Sequence, residues 1–219
     1  MGDVAMRVAA FYHIWAEGDW TAPLNDYLKA LYASEFDGGL HIGIVGRPSK
    51  RIAVLSGLEL QWPQFSVVFE AQEGFESGTI MAVREYAREH GGAVMYAHTK
   101  GSSVTDPFRD RWRTSMTNRV ILDWKLNVEL LKSCDAVGCH WLTEERYPGM
   151  FGAMTEPAPG SGFFGGNFWM ARCDFLRRLP ECPMEPRWQA ESWIGWRHPT
   201  VTDLLPGWPH DNRWPELCE

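Results

Sequence analysis

Several familiar signatures are missing from this 219-residue chain, and each absence narrows what it can do. No run of about 18 apolar residues occurs, so no membrane span is expected. Residues 1–7 (MGDVAMR) hold no basic region leading into an apolar core, so no secretion signal is read and a cytoplasmic protein is expected. Cysteine is sparse, five in all, an odd number with no CxxC pair. A zinc ribbon and a disulfide framework are therefore not expected, and reduced, buried thiols are. There is no GxSxG for an acyl nucleophile, no HExxH for a zinc hydrolase and no GK[ST] after a glycine-rich turn for a P-loop. Basic residues are in deficit, 21 against 28 acidic, for a net charge of −7. A dedicated nucleic-acid binder usually carries the opposite balance, although a local basic patch remains compatible with it.

What is present is an ordinary globular composition, 45% hydrophobic and 22% charged, with an excess of tryptophan, 12 residues. The length suits a single domain over 1–219, with a nucleotide-binding part to about 145 and an acceptor-side part from about 146. Strands are expected at residues 7–16, 40–45, 67–71, 93–97, 135–141 and 168–171. Helices are expected at 20–34, 79–90, 113–132 and 173–179, and residues 52–60 are ambiguous between the two. Thr21 is the expected cap of the first helix. Residues 148–166 read as a long loop. Strand–helix alternation through 141 implies a mostly parallel α/β sheet, whose ligands sit at the carboxyl ends of strands near a switch in strand order. That rule selects residues 13–19, 98–103 and 139–142.

Four local patterns could carry chemistry. Tyr96-Ala97-His98-Thr99-Lys100-Gly101 puts a polar, basic cluster where a buried strand ends. Lys100 is a point charge suited to phosphate, Gly101 lets backbone approach a ligand, and His98 could donate to the same phosphate or bind a metal. Gly165-Gly166-Asn167-Phe168-Trp169 sets an amide before two aromatics, a shape suited to a sugar face; a turn leading into a core strand fits equally. Residues 187–195 place Glu191 between tryptophans, where desolvation could make it a base, or where it could be an ordinary capped or paired carboxylate. The run 109–113 (RDRWR) could hold a diphosphate or simply be a solvated helix entrance. A weaker candidate is His210-Asp211 as a late metal ligand.

Together, YAHTKG, the helix starting near Trp112-Arg113, the DAVG strand and GGNFWMA resemble the short GT-A-type glycosyltransferases. Those proteins carry a YxHTKG-like and then a GNFWW-like stretch. A looser similarity extends to rhamnan-synthesis-type glycosyltransferases with an HTK core. Residues 75–79 (FESGT) are similar to a stretch these proteins carry before the helix. The resemblance spans roughly residues 7–195. It implies a GT-A fold, Rossmann-like with an irregular Trp/Pro-rich C-terminal part, that transfers a sugar from a UDP-, GDP- or dTDP-linked donor to a hydroxyl acceptor.

By the same resemblance, His13, Trp15, Glu76, Thr79, Thr99 and Gly101 bind the donor, and Lys100 and His98 handle the diphosphate. Asn167, Phe168, Trp169 and Trp193 shape the sugar and acceptor pocket, and Glu191 lies where inverting relatives hold a base. Two departures stand out. His98-Thr99-Lys100 replaces the Asp-x-Asp metal motif, which leaves Mn²⁺ or Mg²⁺ dependence open, and Met170 replaces the second tryptophan. Two alternatives are a non-catalytic carbohydrate-binding module and a glycosyltransferase acting on modified DNA bases. The net charge disfavours the second.

Overall fold

The structure, a computed structural model, describes residues 6–102, 106–146, 162–185 and 188–207. Four strand–helix units open the chain. They are β1 (Val8–Trp15) with α1 (Thr21–Ala33), β2 (Leu40–Val45) with α2 (Pro48–Gln61), β3 (Phe65–Ala71) with α3 (Ser77–Glu89), and β4 (Ala93–His98) with α4 (Pro107–Met116). A π-helical turn (Thr117–Leu122) leads from α4 into α5 (Trp124–Leu130). The rest is β5 (Ala136–Gly138), β6 (Trp141–Thr143), β7 (Gly162–Phe164), β8 (Trp169–Arg172), α6 (Cys173–Leu176), α7 (Trp188–Ser192), a 3₁₀ turn (Trp193–Gly195) and β9 (Val201–Asp203).

Among the described residues the main sheet has the order β3-β2-β1-β4-β8-β5-β9. Only β8 runs antiparallel to its neighbours. This is the GT-A-like, mostly parallel α/β architecture. From β1 the chain moves outward to β2 and β3, then returns to lay β4 on the other side of β1. That reversal lies between β1 and β4, and a crevice opens there at their carboxyl ends.

Alternation along the strands sorts residues between two cores. Tyr12 and Ile14 face α1 and α2 with Leu24, Leu28, Val54 and Leu58. Ala9, Phe11, Val94 and Tyr96 face α3 with Ile80, Val83, Trp169 and Trp193. The two-residue period then carries His13 and His98 to the α3 face, beside the start of α3. Close approach there depends on Gly43, because a Cβ at that position would lie 1.8 Å from Thr79 Oγ1.

Several boundaries differ from expectation for identifiable reasons. Residues 52–60 are helical, within α2, where Pro48 takes the first turn and Val54 and Leu58 face the core. Thr21 is the first residue of α1, not its cap; Trp20 holds the cap position without a side-chain bond. The long helix expected at 113–132 is interrupted by the π turn. Asn127 Nδ2 donates to Arg119 O and Val120 O there, so buried side-chain amide replaces helical bonding.

The strand expected at 135–141 splits at His140, whose φ is +59°. Asp203 takes both backbone N–H groups at the break, from His140 and Trp141, each at 2.9 Å. Within the loop expected at 148–166, Gly162–Phe164 forms β7 and pairs with β6. The described cysteines, Cys134, Cys139, Cys173 and Cys182, are buried. No helix among the described residues is long and apolar enough to cross a membrane.

Candidate active site

A cavity of about 350 Å³ fills the β1–β4 crevice. Its lining includes His13 and Trp15 from β1, Gly74 to Glu76 before α3, His98 to Ser102 after β4, and Arg109 and Trp112 from α4. Segment 13–19 and the described part of segment 98–103, residues 98–102, both expected to meet a ligand, therefore come together. Segment 139–142 stands behind them, with His140 edge-on to Trp112 at 6.2 Å.

One wall is cationic. Lys100 Nζ sits 4.3 Å from the centroid of the Trp112 ring, a cation–π contact. Gly101 has φ +85°, which lets the loop turn here. The loop is fastened from below by Arg113, a buried guanidinium that donates to Asp26 Oδ2 (3.0 and 3.2 Å), to Asp110 Oδ1 (2.8 Å) and to Lys100 O (3.4 Å). The helix that carries Arg109, Trp112 and Arg113 starts cleanly: Asp106 accepts from Arg109 N at 2.9 Å and Pro107 follows it. Thr99 Oγ1 accepts from Trp15 N at 3.0 Å, tying the exits of β1 and β4 together.

The floor is built around the Glu76 carboxylate. Its Oε2 accepts from Tyr96 Oη at 2.8 Å and from Asn167 Nδ2 at 2.7 Å. Trp169 Nε1 donates to Asn167 Oδ1 at 2.8 Å, which sets the amide so that its nitrogen faces Glu76. His98 Nδ1 is 3.2 Å from Glu76 Oε1, while Nε2 lies 2.9 Å from Gly166 O. A carbonyl and a carboxylate both only accept, so holding the two contacts together takes a hydrogen on each ring nitrogen, with Nε2–H donated to Gly166 O and Nδ1–H to Glu76. Burial, then the Glu76 charge, pushes the Tyr96 hydroxyl well above its usual value, so it stays a donor.

His13 closes the floor: its Nδ1 is 2.7 Å from Thr79 Oγ1. Burial lowers its pKa to about 4, against an opposing pull from Glu76, so the ring is neutral near pH 7.

Three stretches singled out in the sequence, FESGT, YAHTKG and GNFW, thus converge on Glu76. The roles read for some of their residues change. Trp169 and Trp193 are wholly buried, and both indole N–H groups are spent inside the protein, the second on Pro180 O at 2.9 Å. Asn167 and Phe168 are also buried and do not line the cavity. None of the four presents a face to a sugar; packing demand outweighs display at these positions. Glu191 is buried on α7 near Tyr96 and is likewise not a lining residue, so the carboxylate at the cavity is Glu76. Thr79 is buried, does not line the cavity and meets His13.

Sequence reading did not single out Tyr96 as a holder of Glu76, nor Trp112 as the ring beneath Lys100. The second had a signal in the RDRWR run. Trp208, Trp214, His210, Asp211, Arg187 and the Trp188 side chain lie outside the described residues.

The model of a domain of unknown function, DUF8361, matches residues 11–187. The chain belongs to the DUF8361 family. No curated protein matches it. Two solved structures share the fold of this DUF8361 chain. The first is S. aureus TarS 1-349, at 10% identity and TM-score 0.50, over 90% of this chain and 58% of that one. The second is a protein from Desulfovibrio desulfuricans G20 assigned as a nucleotide-diphospho-sugar transferase, at 13% identity and TM-score 0.50, over 94% of this chain and 81% of that one. The DUF8361 chain therefore spans little more than half the length of the TarS fragment. At these identities the likeness establishes the fold.

Proposed function

We propose that the chain is a glycosyltransferase, a single GT-A-like domain that moves a sugar from a nucleotide-sugar donor to a hydroxyl acceptor. The observation that carries this reading is the polarity of the cavity. Among the described residues, Lys100 and Arg109 stand on one wall and one carboxylate, Glu76, on the floor, at the strand-order reversal where nucleotides bind in such sheets. The finer resemblance to GT-A and rhamnan-synthesis-type enzymes agrees with it.

In this reading Lys100 and Arg109 take the diphosphate, and Thr99 and Gly101 bring the loop backbone against it. Departure of the diphosphate concentrates negative charge where the two cations stand, which lowers the barrier to breaking the sugar–phosphate bond. Trp15 and Phe75, each 37% exposed at the rim, cover the donor and limit hydrolysis.

The described residues do not by themselves build a divalent-metal site. Among the described residues no three His, Cys, Asp or Glu side chains gather to hold one. Glu76 is already engaged by Tyr96, Asn167 and His98. The cationic role is assigned to protein side chains, and no step passes through a metal ion.

The test is a thermal-shift and turnover panel of UDP-, GDP- and dTDP-sugars, with and without EDTA. Binding and turnover of at least one donor are expected. Binding of glycans without any nucleotide would instead mark a carbohydrate-binding module, and a salt-dependent shift of DNA would revive the DNA-base acceptor.

A further inference from the structure

We infer that Glu76 is the hydroxyl-reading group of the cavity, and that Tyr96, Asn167 and Trp169 are positioning residues that aim it. The inference rests on the glycosyltransferase reading and adds the part of the ligand that meets the floor.

A carboxylate offers about four acceptor positions and no donor. Three partners occupy Glu76: Tyr96 Oη, Asn167 Nδ2 and His98 Nδ1. Two of them share Oε2, so the remaining position is on Oε1, and Glu76 lines the cavity. The group that completes it must donate a hydrogen bond. His98 has no further ring donor to offer, since Nδ1 is spent on Glu76 and Nε2 on Gly166 O.

The floor therefore accepts, while the facing wall, with Lys100 and Arg109, attracts anions. A ligand that satisfies both has an anionic end and a hydroxyl-bearing end, as a sugar esterified to a diphosphate does. Donor contacts fix the orientation of Glu76 from the protein side. Trp169, fully buried and stacked on Tyr96 at 5.0 Å between ring centroids, locks the two donors to each other. This arrangement explains why an amide and two aromatics that never line the cavity belong to its sequence pattern.

The test uses the full chain and compares each nucleotide with its sugar conjugate by calorimetry: UDP with UDP-glucose, GDP with GDP-mannose, dTDP with dTDP-glucose. Wild type should bind one conjugate more tightly than its nucleotide. Glu76→Gln should lose about tenfold of that excess, the scale of one hydrogen bond to a charged group, with the nucleotide alone unchanged within about twofold. Tyr96→Phe and Trp169→Phe each remove one donor while keeping a ring. They should lose about threefold of the same excess, again sparing the nucleotide, and they keep the proposal testable if Glu76→Gln does not fold. A merely structural role would weaken nucleotide and conjugate alike, and that result overturns the inference. So does an undiminished excess in the variants, or a wild type with no excess. Absence of all nucleotide binding would sink the glycosyltransferase reading together with the inference.

Discussion

The floor of the cavity and its cationic wall are made in opposite ways. Around Glu76 the Tyr96 hydroxyl, the Asn167 amide and the Trp169 indole are bonded within the protein, and all three residues are wholly buried. Lys100 and Arg109 stand half in solvent, on a loop and on the first turn of α4. The floor is thus pre-aimed by packing and has little freedom to lose on binding. The wall has its charge in place but keeps some freedom, held chiefly through Arg113 and the Trp112 ring. The difference teaches which variants should injure the fold and which should injure binding alone.

The largest expected effect is on the floor. Trp169→Ala empties a fully buried site and strands the Asn167 amide; it should cost about 3–5 kcal/mol in urea unfolding. A cost below about 1 kcal/mol would mean the floor is not part of the cooperative core.

The next is a pH effect. Burial lowers both His13 and His140 to about 4, below the unfolded value near 6.5. Folded pKa values below unfolded ones give stability that is complete above about pH 6.5 and lost as pH falls toward 4. Each histidine contributes up to about 3 kcal/mol across that window. Unfolding free energy measured from pH 7 to 4 should fall accordingly, and His13→Gln should flatten its share of the slope.

On the wall, Lys100→Ala should weaken nucleoside diphosphate binding about tenfold and leave stability within about 0.5 kcal/mol. Loss of fold in this variant would erase the contrast between the two regions. Arg109→Ala should have the smallest effect, about two- to threefold on the same affinity, because its side chain is 40% exposed and shared with Asp106. A larger loss than for Lys100→Ala would make Arg109 the principal cation.

Much of the frame was legible in residue order. The apolar runs of β1, β2 and β4 are nearly continuous because buried parallel strands are apolar on both faces, and their exits could be named. Less legible were the short strands after residue 135. β5 and β9 have three residues each, too few for a period, and β9 owes its place to parallel pairing with β5 from far along the chain. The tryptophan excess was visible, but not its use. Trp169 and Trp193 read as pocket walls by resemblance, whereas burial and internal N–H bonds make them core.

Glu76 and Glu191 show where the division falls. Both are single carboxylates beside aromatics or turns, and local sequence offers no means of ranking them. By itself the sequence determined the mostly parallel α/β sheet, the exits of β1 and β4 where the cavity opens and the side chains available there, because periodicity and side-chain type are local properties. Only the tertiary structure decided which carboxylate stands at the cavity and which side chains serve as its struts. Those depend on distances between residues 20 and 91 positions apart in the chain, Tyr96 and Asn167 from Glu76, and such distances are set by how strands and helices pack.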